Sequence, residues 1–177
     1  MSRARVINLI GGPGCGKSTT AADLYSLMKK SGQSVELVTE VAKDYVWDES
    51  YKLLRDQIFI FGQQYHNQWR LRDRVDWVIT DSPLLLNLYY SSDRSETFFK
   101  LIVEKFYDFD NLVYFIDRGV SEFSQEGRVH TYEQSIKADS DIKELLTSYG
   151  IPFEIVDQNS AAREIFNFVS KYNFAKE

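Results

Sequence analysis

Apolar residues along this chain follow two alternating patterns: short continuous runs, and stretches in which they recur every three or four positions. Val6–Ile10 is of the first kind and is followed at once by glycines, which predicts a buried strand. From Ser18 to Lys30 the apolar positions are Ala21, Leu24, Tyr25 and Met28, the i, i+3, i+4, i+7 spacing of one helical face. Lys29 and Lys30 suit the negative pole at that helix's end, and Gly32 supplies its stop. Val35–Thr39 predicts a second strand. Glu49–Arg74 predicts a mostly helical segment, with Leu54, Ile58, Phe61 and Tyr65 on its apolar face.

Trp77–Thr80 and Leu112–Ile116 are apolar runs of the kind that parallel sheets bury on both faces. Thr131 with Gln134 is a capping-box signature for a helix reaching Tyr149, with Ile142, Leu145, Leu146 and Tyr149 on one face and Gly150 at its end. Phe153–Val156 predicts a fifth strand. Ser160 then caps a last helix with Ile165, Phe166 and Val169 on its face. Strands alternating with helices predict an α/β fold: a five-stranded parallel sheet covered on both faces, a three-layer sandwich. No repeat, low-complexity tract or linker interrupts residues 1–177, so one domain is expected.

Composition changes this picture little. Apolar residues make up 44% and charged residues 27%, the balance of an ordinary globular protein. No run approaches the roughly 18 apolar residues of a membrane span. Val6–Ile10 is too short for a signal-peptide core. Cys15 is the single cysteine, which excludes an internal disulfide and a multi-cysteine zinc site. The cytoplasm is therefore the expected compartment. The formal charge of −5 argues against autonomous binding of duplex DNA, because counterion release needs many Lys and Arg at the phosphates. A local basic channel is still compatible with that average.

The glycines after the first strand carry the strongest chemistry. Gly11-Gly12-Pro13-Gly14-Cys15-Gly16-Lys17-Ser18 matches the phosphate-binding pattern G-x-x-x-x-G-K-[ST] in full. Glycines let backbone N–H groups turn inward around a phosphate where a Cβ would obstruct them. The following helix points its positive pole at the same oxygens. The pattern predicts that ATP phosphates lie on the loop formed by Gly12, Pro13, Gly14, Cys15, Gly16, Lys17, Ser18 and Thr19. Lys17 reaches the β- and γ-phosphates and the Ser18 hydroxyl binds Mg²⁺. Cys15 is either a small loop residue or a thiol acidified by Lys17 and the helix N-terminus.

Acidic residues stand where the next two strands end. Asp81 follows Trp77–Thr80, on the side of the sheet where ligands bind, and either completes the Mg²⁺ shell or caps the segment starting Ser82-Pro83. Glu40 ends the second strand and either accepts a proton from an attacking hydroxyl or is a surface residue. Lys43, Asp44, Tyr45 and Trp47 mix charge with flat rings, which suits an acceptor bearing a base or sugar and equally suits core and rim packing.

After the fourth strand, Asp117-Arg118 opens a polar stretch to Arg128-Val129-His130, expected to form a short lid over about 117–131. Arg118 and Arg128 are candidates to meet the charge on the transferring phosphoryl oxygens, or are structural. On the middle helix, Gln63, Gln64 and His66 are candidate acceptor contacts, whereas Arg70 and Arg74 share a solvated face.

Taken together, GGPGCGKST, TEVAKDY, GQQY, VITDSP and the arginine-bearing segment ending GRVHTYEQ resemble the NadR-like family of small P-loop kinases and ATPases over almost the full length. The first motif is specific and the others matter by their order. Lys43 stands where that family commonly carries Arg. The resemblance extends to bacteriophage 5-hydroxymethyluridine DNA kinases. It implies an ATP- and Mg²⁺-dependent phosphotransferase acting on a nucleoside-like hydroxyl, most specifically a 5-hydroxymethyluridine within phage DNA in the host cytoplasm, with a free nucleoside or nucleotide as the alternative acceptor. A regulatory NTPase using water as nucleophile is the alternative outside the kinases.

Overall fold

In a computed structural model, residues 4–91, 95–119 and 131–174 are described. Five strands, β1 (Arg5–Ile10), β2 (Val35–Val38), β3 (Trp77–Thr80), β4 (Asp110–Asp117) and β5 (Glu154–Asp157), form one sheet in the order β2-β3-β1-β4-β5. Every pairing is parallel, with Ile7 opposite Ile79 and Leu9 opposite Tyr114. The predicted α/β class and the five-stranded parallel sheet are both present, and the central strands are buried on both faces as their largely apolar runs require, with Asn8 and Thr80 the buried polar exceptions.

Alternate strand residues feed two cores. Ile7, Leu9, Ile79, Tyr114 and Ile116 pack against helix α1 (Lys17–Lys30), through Ala21, Leu24 and Met28, and against α8 (Ala161–Phe174), through Ile165 and Val169. Val6, Ile10, Val78, Val113 and Phe115 face the opposite layer. That layer comprises α4 (Gln57–Trp69), α5 (Leu86–Tyr90), α6 (Glu96–Phe106) and α7 (Tyr132–Ser148). The capping box at the head of α7 is formed: Thr131 accepts from the Gln134 N–H at 3.2 Å, and the Gln134 side chain accepts from the Thr131 N–H at 2.8 Å.

Three expectations need correction. The helical stretch from Glu49 is two elements, α3 (Tyr51–Arg55) and α4, divided at Asp56, whose carboxylate accepts the Phe59 N–H at 3.1 Å and so starts a new helix. The buried face of α4 is Ile60, Phe61, Gln64 and Gln68, while Ile58 is 65% exposed. Helices α2 (Val41–Trp47), α5 and α6 arise where no element was expected.

All five parallel strands end at one edge of the sheet. From β1 the chain passes to the α1 face, and from the adjacent β3 it passes to the opposite face through α5 and α6. Neighbouring strand ends therefore diverge and open a crevice between the glycine loop and Asp81, the position where such sheets bind ligands.

Candidate active site

The loop between β1 and α1 has the backbone its sequence demands. Gly11, Gly14 and Gly16 have φ of 150°, 80° and 89°, conformations that side chains other than hydrogen disfavour. Gly16 is the N-cap of α1 and no side chain among the described residues caps the helix, so its first-turn amides remain oriented for an anion. The Lys17 ammonium lies over the loop, donating to the carbonyls of Gly11 and Gly12 at 2.9 Å each. Cys15 is buried, with Sγ 3.9 Å from Lys17 Nζ, while Ser18 and Thr19 face solvent.

Asp81 follows the end of β3 and is buried, yet its Oδ1 has no hydrogen-bond partner among the described residues. A buried acceptor without a donor is costly unless something else satisfies it. With the exposed Ser18 hydroxyl, it matches the sparse protein ligand set of a Mg²⁺ that is otherwise held by water and substrate phosphates. Glu40 is half-buried at the head of α2. Burial raises its carboxyl pKa, opposed by the Lys17 ammonium and reinforced by the Asp81 carboxylate, with smaller opposing effects from Lys43 and Asp44. The strand-end acids and the loop lysine thus form one electrostatic unit.

Arg118 has a different setting from the lid position expected for it. It is 7% exposed, and its Nε donates to Asp139 Oδ2 at 2.6 Å. Its Nη2 donates to the carbonyls of Ser135 at 3.1 Å and Pro13 at 3.3 Å. Its guanidinium is thereby directed at α7 and the glycine loop. Arg128 and most of the expected lid lie outside the described residues.

The candidate acceptor residues separate. Asp44 and Tyr45 line a groove of about 680 Å³ that starts at Val41, beside Glu40, and follows α2 to Asp48. Phe59, Gln63 and His66 of α4 form its other wall. Across it the Tyr45 hydroxyl donates to Gln63 Oε1 at 2.8 Å, and the Tyr45 and Phe59 rings lie 5.7 Å apart. Lys43 and Trp47 are exposed and do not line the groove. Gln64 is buried instead: its Nε2 donates to Ser82 Oγ at 2.6 Å and its Oε1 accepts from Asn87 at 2.6 Å. That amide ties α4 to the turn after β3 and to α5. Arg70 and Arg74 are exposed, as expected.

Two residues near the loop had no part in the sequence reading. Tyr90, at the end of α5, has its hydroxyl pKa raised by burial, with the charges of Glu40, Tyr89, Cys15 and Asp139 adding to it. Asp139 sits on α7 on the same side as the buried Ser135, Ala138 and Ile142. A carboxylate one turn from a buried serine on an otherwise apolar face was the available signal.

A complete phosphate loop at the end of the first strand, a carboxylate after the third and this parallel sheet define a P-loop NTPase fold. The chain belongs to the AAA domain family, whose model matches residues 6–163. Among solved structures it is similar to NadR protein in complex with NR, with a TM-score of 0.65 and 17% identity over 87% of this chain. The match spans only 45% of that NadR chain. It is also similar to deoxyadenosine kinase from M. mycoides with bound dATP, with a TM-score of 0.55 and 21% identity over 93% of this chain and 99% of that one. No curated protein matches the sequence. No helix among the described residues is long and apolar enough to cross a membrane.

Proposed function

We propose that the protein is a kinase that moves the γ-phosphate of ATP to a hydroxyl of a nucleoside-like acceptor held between α2 and α4. The observation that carries this reading is the place of Glu40. Its carboxyl is within electrostatic reach of Lys17 and Asp81, and the groove begins at the next residue, Val41. A base for an attacking hydroxyl belongs at that junction, and a raised pKa brings its proton affinity closer to that task.

In this scheme the loop amides and Lys17 hold the β- and γ-phosphates, and Ser18 and Asp81 hold the Mg²⁺, which supplies charge neutralisation when bound. Glu40 takes the proton of the acceptor hydroxyl as its oxygen bonds to the γ-phosphorus. The bond from that phosphorus to the bridging oxygen breaks, and ADP leaves. Arg128 is assigned to the transferring phosphoryl group, and Arg118 acts from beneath the loop.

The groove favours a free nucleoside. Asp44 and Asp48 face it, and among the described residues no Lys or Arg lines it, so a phosphate entering there meets the charge of those two carboxylates. A 5-hydroxymethyluridine in DNA, the acceptor implied by sequence resemblance, would have to bring its phosphates near those carboxylates. In a duplex it must also leave the stack, at about a few kcal/mol. The fold shared with a deoxyadenosine kinase accords with the nucleoside reading.

The test is γ-labelled Mg-ATP offered with nucleosides, nucleotides and hydroxymethyluracil-containing DNA. Label on a nucleoside is expected. Label on DNA alone would overturn the choice of acceptor. Label on none, with steady phosphate release, would replace the kinase by an NTPase.

A further inference from the structure

The Asp139 carboxylate is bound on both oxygens. Oδ2 accepts from Arg118 at 2.6 Å, and Oδ1 accepts the backbone N–H of Gly12 at 2.6 Å. Gly12 in turn offers its carbonyl to Lys17 Nζ. Arg118, Asp139, Gly12 and Lys17 thus form a continuous hydrogen-bonded chain from β4 and α7 to the phosphate-binding lysine.

Gly12 records how tightly α7 is docked. Unlike Gly11, Gly14 and Gly16, it does not have a positive φ, so backbone conformation does not require glycine there. Contact does. A Cβ at Gly12 would lie 2.7 Å from Asp139 Oδ1, 2.7 Å from the Ser135 carbonyl and 3.1 Å from Arg118 Nη2. The phosphate-loop pattern leaves this position open. Its glycine is explained by α7.

The charges fit the same purpose. A bare carboxylate against a phosphate-binding loop would oppose its ligand, and Arg118 neutralises it at contact distance with both side chains largely buried. We propose that Asp139 is a positioning residue for the phosphate loop: held by Arg118, it fixes the Gly12-Pro13 arm and thereby the placement of Lys17 and the following amides. The proposal rests on the loop holding nucleotide phosphates and is independent of any acceptor.

The experiment measures ADP binding by a fluorescent ADP analogue, with thermal melting to confirm folding. ADP has no γ-phosphate, so a direct role of Arg118 at that group is silent in this assay. Asp139→Asn replaces an acceptor by a donor that faces either the Gly12 N–H or Arg118, and is expected to weaken ADP binding about tenfold. Arg118→Ala exposes the loop to an unpaired carboxylate and is expected to weaken it more. Arg118→Ala with Asp139→Ala removes that charge but also the Gly12 anchor, and is expected to stay well below the parent in ADP affinity. ADP affinity within twofold of the parent in Asp139→Asn overturns the proposal. So does a double variant that regains parental ADP affinity, because the loop would then be placed without Asp139. If Asp139→Asn does not fold, the comparison of the double variant with the parent decides the matter.

Discussion

Asp81 directly follows Thr80 and Glu40 lies two residues beyond Val38, the register partner of Thr80 on the neighbouring parallel strand, and the Asp81 charge raises the pKa of the Glu40 carboxyl. Burial is the larger cause, and the Lys17 ammonium works against both. If Glu40 is the base it must be ionised to act, so transfer should rise with pH through a limb lying above 4.5, the ordinary value for such a carboxyl. Lys43 lowers the Glu40 pKa and Asp44 raises it. Lys43→Gln should therefore move the limb to higher pH and Asp44→Asn to lower pH. A profile of kcat/KM against pH that ignores both substitutions would remove Glu40 as the titrating group.

The same shift makes Glu40 a burden on the fold. Between the unfolded value and the raised folded value, the folded protein binds more protons at Glu40 than the unfolded chain does. Stability therefore falls as pH rises through that window, and the full penalty is present above it. Glu40→Gln removes the penalty. At neutral pH it should melt at a higher temperature than the parent, while kcat falls by about a hundredfold or more and ADP affinity stays within twofold. A variant that melts lower and turns over normally would contradict both roles.

Asp81 presents a buried oxygen with no hydrogen-bond donor among the described residues. If that oxygen serves the Mg²⁺ shell, Asp81→Asn should raise the magnesium concentration for half-maximal transfer by about tenfold or more. The nucleotide should still bind without magnesium, because the loop amides and Lys17 are unchanged. Titrating magnesium at saturating ATP checks this, and an unchanged midpoint would leave Asp81 as a turn residue only.

How much of this was legible depended on where the deciding interaction lay. The strands Val6–Ile10 and Trp77–Thr80 could be read because a central parallel strand is apolar at nearly every position, Asn8 and Thr80 being the exceptions, and the loop because its glycines are demanded locally. The division at Asp56 was hidden by apolar residues that keep a helical period across it. Gln64 was misplaced because its neighbours in space, Ser82 and Asn87, are 18 and 23 residues away in sequence, and only their donors and acceptors make burial tolerable. Asp139 escaped for the same reason, since Gly12 and Arg118 are 127 and 21 residues distant.

Adjacent glutamines on α4 give the sharpest separation of binding from folding. A helical step of about 100° puts Gln63 in the groove, receiving the Tyr45 hydroxyl, and turns Gln64 into the core. Gln63→Ala should raise the KM for the acceptor severalfold, with the KM for ATP and the melting temperature nearly unchanged. Gln64→Ala should do the reverse. It takes from the Asn87 amide one of its two acceptors, leaving the Leu84 carbonyl, and from Ser82 Oγ its Gln64 donor, at a cost of about 1–3 kcal/mol in stability. Any loss of activity in Gln64→Ala should then track the unfolded fraction and recover on cooling. Denaturant melts and initial rates on both variants check the pair. If Gln64→Ala kept full stability and lost only acceptor affinity, the buried amide would belong to the substrate after all.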